Sequence, residues 1–171
     1  MDLILVDEND VPVGTMEKME VHQKALLHRA FSIFVFNKNG QMLLQQRAMN
    51  KYHSPGLWTN ACCSHPSPIE SIEQAAEKRL QEEMGFTIPL TKAFSFTYKA
   101  EMENGLTEYE FDHVMVGYYD GQINPDDREV MDFCFSGMDE IRNKIESYPE
   151  KYTAWFKIAF PKLEAYLASG H

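Results

Sequence analysis

The 171-residue sequence predicts an α/β or α+β fold, a mixed β-sheet flanked by helices, and three observations carry that reading. Apolar segments of strand length alternate along the chain with segments of helical spacing. Two Asn-Gly pairs, Asn39-Gly40 and Asn104-Gly105, lie between strand-like runs and mark hairpins, which a doubly wound parallel sheet does not use. One acidic stretch, residues 70–85, repeats apolar side chains every three or four positions and stops at a glycine.

Each element has its own signal. Residues 3–7 read as a first strand, turned at Asn9-Asp10. Residues 28–37 carry Ala30, Ile33, Phe34, Val35 and Phe36, too continuously apolar for a one-sided strand, and predict a central strand buried on both faces. Asn39-Gly40 predicts a type I′ turn that returns residues 41–47 beside it. Residues 48–56 are polar and aromatic and form a loop closed by Pro55-Gly56. A helix over 70–85 is capped by Ser67 or Ser71 and ended by Gly85. Residues 93–100 and 107–118 are the strands of the second hairpin, and 130–135 is a further strand. Residues 138–147 and 152–168 read as helices, the second interrupted or bent near Pro161.

Bulk properties narrow the function. The length suits one domain spanning residues 1–171, with no repeat or linker inside it. No apolar run approaches the ~20 residues of a membrane span, and no charged-then-apolar leader precedes the first strand, so a cytoplasmic protein without a membrane partner is expected. The net charge of −10 repels nucleic acid, and an anionic small molecule needs a divalent metal or focused Lys/Arg to be held at all. Three cysteines, two of them adjacent, do not form a disulfide framework. Cys134, within Phe133-Cys134-Phe135, reads as a buried small hydrophobe. A monomer is expected.

Two groups of residues can carry chemistry. The run Trp58-Thr59-Asn60-Ala61-Cys62-Cys63-Ser64-His65-Pro66 sets a thiol beside a metal-capable imidazole. Glu108 and Glu110 stand two apart, on one face of a strand, with Tyr109 and Phe111 on the other. With His22, His28 and His65 they make a five-donor set suited to Zn²⁺, Mn²⁺ or Mg²⁺.

The helix over 70–85 resembles the Nudix box, the loop–helix–loop that gathers carboxylates around Mg²⁺ and a diphosphate. Ser64 stands at the glycine position, Glu70 matches, Lys78-Arg79 replaces Arg-Glu, and Leu80, Glu82, Glu83, Gly85 and Phe86 match again. Arginine at position 79 cannot ligate Mg²⁺, whereas its fork suits a phosphate. The box therefore reads as kept for diphosphate and stripped of its hydrolytic metal.

With Gly14-Thr15-Met16-Glu17-Lys18, Leu27 to Ser32, Gln46-Arg47-Ala48, Pro55 to Pro66, Glu108 to Val114 and Trp155, the chain resembles the type 1 isopentenyl-diphosphate Δ-isomerases, a branch of the Nudix superfamily. The resemblance implies a Nudix-type fold and an isomerase interconverting isopentenyl diphosphate and dimethylallyl diphosphate in isoprenoid biosynthesis, by protonation and deprotonation through a tertiary carbocation. Cys63 and Glu110 would be the acid–base pair, on opposite faces of the substrate. His22, His28, His65, Glu108 and Glu110 would hold one Mn²⁺, Zn²⁺ or Mg²⁺. Glu83 would hold a Mg²⁺ bridging to the diphosphate, with Lys18, Arg47, Lys51 and Arg79 as its cations. Tyr98 and Trp155 would border the carbon chain, the indole face stabilising the cation. The alternative reading is a Nudix hydrolase of a nucleoside diphosphate derivative. A non-enzymatic zinc-stabilised domain would need the paired Cys-x-x-Cys spacing that this chain lacks.

Overall fold

The computed structural model describes residues 1–170. The chain runs β1 (Asp2–Val6), β2 (Pro12–Glu17), α1 (Lys18–Lys24), β3 (His28–Phe36), β4 (Met42–Arg47), β5 (Trp58–Asn60) and β6 (Cys62–Ser64). It continues through α2 (Ile72–Met84), β7 (Thr91–Glu101), β8 (Thr107–Tyr118), β9 (Val130–Ser136), α3 (Met138–Ser147) and α4 (Ala154–Ala168). The nine strands form one mixed sheet, the architecture read from the sequence.

β3 is its hub. One edge pairs in parallel with β8 along its whole length, from His28↔Glu110 to Phe36↔Tyr118. The other edge is shared: Leu5 of β1 at one end, β6 in the middle through Ser32↔Cys63, and Met42 of β4 at the far end. Such a strand meets apolar neighbours on both faces, which is why its sequence does not alternate. Phe34 and Phe36 face a core with Trp155, Phe156, Phe160 and Leu163 of α4, while Phe31, Ile33 and Val35 face Ala76, Leu80 and Met84 of α2. Each large apolar side chain buried this way contributes about 2 kcal/mol.

α2 starts at Ser71, which forms a capping box with Gln74, and ends at Gly85 in the left-handed region. Of the two serines open at the sequence level, Ser71 is the cap. α3 occupies the predicted span, and α4 starts after its Thr153 cap and runs through Pro161 as one helix, not as an interrupted one.

Three readings are corrected. Residues 41–47 do not run alongside β3, because only Phe36 and Met42 pair before β4 turns to β5 and β9. The turn itself is not type I′, since only Gly40 of the Asn39-Gly40 pair has positive φ. Asn37 Oδ1 accepts from the amides of Asn39 and Gln41 and sets a different turn. Cys134 is exposed, because β9 pairs only with β4 and turns that position to solvent. The pair Asn104-Gly105 does have both residues at positive φ and closes the β7–β8 hairpin. Residues 12–17 and 18–24, short and weakly patterned, form a strand and a helix that the sequence reading left unassigned.

Gly85 combines a φ of 78° with an added Cβ position 2.3 Å from the Asn124 carbonyl oxygen, whereas Gly40 has open space around it. Gly85→Ala is expected to cost about 2 kcal/mol or more and Gly40→Ala about 1 kcal/mol, read by chemical denaturation. Equal losses would show that the contact with Asn124 does not matter.

Candidate active site

A solvent-open cleft enclosing about 580 Å³ lies on the α4 face of the sheet, lined by polar and charged side chains with Tyr98 and Trp155 among them. Its floor comes from strand register. On that face lie His28 and Ser32 of β3, four residues apart, Cys63 of β6, and Glu108, Glu110 and Asp112 of β8, two residues apart. Cys62 points the other way into the α2 core, which separates the two adjacent thiols. Cys63 and Glu110 thus stand on opposite edges of β3, with Cys63 beside Ser32 and Glu110 beside His28.

His22, His28, His65 and Glu110 converge, with one donor atom of each within 4.8 Å of the others. His22 Nδ1 lies 2.7 Å from the Lys18 carbonyl and His28 Nδ1 lies 2.9 Å from the Leu26 carbonyl. Each Nδ1–H donates outward, which turns Nε2 inward; both Nε2 atoms are buried and make no hydrogen bond, that of His28 standing 3.4 Å from Glu110 Oε2. Burial lowers the pKa of His22 and takes His65 down to about 4, so these two imidazoles are neutral, as ligands must be. These four residues can hold a metal ion. Glu108 stands outside the four, beside His53 at 3.9 Å.

Tyr98 couples the two glutamates. Its hydroxyl oxygen lies 2.9 Å from Glu108 and 2.6 Å from Glu110. One phenolic proton serves one carboxylate, so the second contact needs a proton on a carboxyl. Burial and then the Glu110 charge push Glu108 well above the carboxylate range. Burial alone would raise Glu110 too, but contacts from His28 and His65 hold it well below. Glu108 therefore keeps the proton and Glu110 is the anion.

The thiol of Cys63 sits 3.1 Å from Asn60 Oδ1 and 3.4 Å from Ser32 Oγ, and Ser32 donates to Asp112 at 2.6 Å. Asn60 spends both amide hydrogens on the Ile33 and Cys62 carbonyls, so its oxygen only accepts. Burial pushes the thiol up, and it stays protonated at neutral pH.

Of the residues assigned roles by the resemblance, all but His22 and His28 line the cleft, and those two rings stand 5.9 and 5.0 Å from that of His65. The α2 wall supplies Glu83, bonded by Gln45 at 3.0 Å and by Arg79 at 2.8 Å, and burial raises its pKa. Lys18, Arg47, Lys51 and Arg79 form the cationic rim. Trp155, from the first turn of α4, has the Arg47 guanidinium 5.2 Å from its ring, so part of its π surface already meets a cation. His53 was missed: it lies in the loop 48–56, where no periodicity aims a side chain, yet it lines the cleft and burial lowers its pKa to about 3. Ser32, Asn60 and Asp112 were missed because only the strand register brings them to the thiol.

The chain is similar to known proteins along most of its length. The NUDIX domain family model matches residues 26–156. The isopentenyl-diphosphate Delta-isomerase of Pectobacterium atrosepticum is 50% identical over 167 residues, covering 96% of this chain and 92% of the relative. That of Serratia proteamaculans is 49% identical over 154 residues, covering 90% and 86%. Among solved structures, DR0079 from Deinococcus radiodurans superposes with a TM-score of 0.80 at 16% identity, covering 95% of this chain and 98% of that one. The MutT protein from Methanosarcina mazei Go1 gives 0.68 at 18% identity, covering 81% and 94%. The structural likenesses establish the Nudix-type fold, the architecture expected from the sequence.

His53 and His65 ionise far below the 6.5 of an ordinary histidine. Between about 4 and 6.5 the unfolded chain takes up protons that the folded protein refuses. The ring signals of His53 and His65 in chelator-treated protein are therefore expected to stay at their neutral positions as pH falls from about 7 to about 5, measured by NMR titration, while the unfolded chain titrates near 6.5. Protonation of either ring within that range would contradict neutral imidazoles.

Proposed function

The chain belongs to the NUDIX-domain family and, within it, to the isopentenyl-diphosphate Delta-isomerases, and from that premise we propose a residue-level account of double-bond migration in isopentenyl diphosphate to give dimethylallyl diphosphate. The observation that carries it is a protonated thiol and an ionised carboxylate across one strand of one cleft.

The reaction adds a proton at one carbon and removes one two carbons away, so it needs one group bearing a proton and one lacking it. Cys63 and Glu110 are that pair. Asn60 and Ser32 hold the sulfur, while Tyr98 ties Glu110 to the protonated Glu108, so that a proton gained or lost at Glu110 has a neighbour to pass to. Trp155 and Tyr98 border the hydrocarbon end and keep water from a tertiary cation that would otherwise be trapped. Lys18, Arg47, Lys51 and Arg79 hold the diphosphate at the rim and fix which carbons meet the pair.

The set of three imidazoles and Glu110 suits Zn²⁺ or Mn²⁺ better than Mg²⁺, which prefers oxygen donors. When bound there, an ion supplies positive charge that keeps Glu110 an anion; a Mg²⁺ at Glu83 supplies charge compensation to the diphosphate. Glu108 would serve as the carboxyl partner of Tyr98, whose hydroxyl oxygen lies 2.9 Å away.

Hydrolysis is disfavoured by Arg79. Its guanidinium occupies the place of the hydrolase carboxylate and pairs with Glu82 at 2.9 Å and Glu83 at 2.8 Å.

Incubation with isopentenyl diphosphate, following dimethylallyl diphosphate and free phosphate together, tests the proposal. Product without phosphate is expected; phosphate release without isomerisation would overturn it. Cys63→Ala and Glu110→Gln are each expected to lower kcat about a thousandfold or more, with Cys62→Ala near wild type. Full turnover in the Cys63 variant would remove the thiol from the mechanism. Tyr98→Phe, which breaks the link between the glutamates, is expected to lower kcat about a hundredfold with KM little changed; a rise in KM alone would make Tyr98 a binding residue instead.

A further inference from the structure

The four rim cations are not held alike. Arg47 leans on the Trp155 ring and donates to the His53 carbonyl at 3.2 Å. Lys18 lies over the Tyr52 ring, 5.7 Å from its centroid. Lys51 and Arg79 instead share one carboxylate, that of Glu129: Lys51 Nζ hydrogen-bonds to Glu129 Oε2, and Arg79 Nη2 lies 3.2 Å from the same oxygen. Glu129 does not line the cleft; it lines the outer depression with Asn50, Asp126 and Arg128. It grips both cations from behind.

Its backbone is tied to the two segments that carry them. The Glu129 carbonyl accepts from Ala48 N at 3.0 Å, and the Ala48 carbonyl accepts from Lys51 N at 3.3 Å, which links Glu129 to the Lys51 turn. Glu129 N donates to the Asp126 carbonyl at 2.9 Å, and Asp126 N donates to the Glu83 carbonyl at 2.9 Å, at the end of the helix carrying Arg79. Lys51, on a loop, and Arg79, on α2, come from separate elements and repel each other, and both also lower the pKa of the buried Lys18 ammonium beyond the effect of its burial. Arg79 is held also by Glu82 at 2.9 Å and Glu83 at 2.8 Å, so the cation that depends most on Glu129 is Lys51, a long, flexible side chain that Arg79 would otherwise repel toward solvent.

We infer that Glu129 is a positioning residue for diphosphate recognition, a rear clamp that holds Lys51 and Arg79 side by side at the mouth of the cleft. The inference rests on the proposed function for the identity of the anion. Because the carboxylate sits outside the cleft, it holds the cations in place without facing the bound anion. Pre-arranged cations need not be ordered when the anion arrives, so the effect belongs to binding and not to the proton transfers.

The test is Glu129→Gln, which keeps shape and removes charge, beside Glu164→Gln, which breaks an ion pair with Arg142 on the surface of α4. Inorganic diphosphate is titrated calorimetrically into each protein, and kinetics with isopentenyl diphosphate are run in parallel. Glu129→Gln is expected to weaken diphosphate binding and raise KM by roughly fivefold, with kcat within about twofold, and Glu164→Gln to match wild type. In a Lys51→Ala background, where the clamp has lost one arm, the same substitution is expected to cost clearly less. Unchanged or tighter diphosphate binding in Glu129→Gln, a fall in kcat alone, or the full effect persisting in the Lys51→Ala background would overturn the inference. A wild-type protein that binds diphosphate but does not isomerise would refute the proposed function instead, and the titration would still decide Glu129.

Discussion

The parallel pairing of β3 with β8 is the constraint on which the site depends. It sets His28 beside Glu110, and the two-residue period then aligns Glu108, Glu110 and Asp112 on the face that β3 shares with Cys63 of β6. A slip of one residue would turn all three carboxylates into the apolar α2 core and put Tyr109, Phe111 and His113 in the cleft. The register is held by apolar burial on both sides of β3, so the same side chains that stabilise the sheet also aim the reacting groups.

Charge is the second organising theme. A chain with a net charge of −10 concentrates four cations at one rim and buries four carboxylates near it, those of Glu83, Glu108, Glu110 and Asp112. The buried acids are tolerable because they do not all ionise: burial and mutual repulsion keep Glu108 and Asp112 protonated, while the imidazole contacts of Glu110 keep it charged. Arg79 extends the same logic to the helix that resembles a hydrolase site. In place of a metal-binding carboxylate it brings a fixed positive charge, paired with Glu82 and Glu83.

Much of this was legible in the chain. The continuous apolar run of β3, the Asn104-Gly105 turn and the Ser71-to-Gly85 helix each follow from local rules that the tertiary structure does not override. The thiol, the paired glutamates and the three histidines stood out because such residue types seldom cluster without cause. What was not legible depends on register between distant segments. Ser32, Asn60 and Asp112 look like ordinary strand residues until β6 and β8 are laid against β3. His53 and Glu129 lie in irregular loops, where no period states which way a side chain points. The Asn39-Gly40 turn misled because the Asn37 side chain captures the local amides first.

The central claim is that His28 and Glu110, paired across β3 and β8, meet His22 of α1 and His65 after β6 in one metal-competent set. Titrating chelator-treated protein with Co²⁺ and following its visible absorption tests it most directly. The account predicts one equivalent per chain with a low-coordinate spectrum, abolished in His28→Ala. A stoichiometric spectrum that survives that substitution unchanged would place the ion elsewhere and contradict the account.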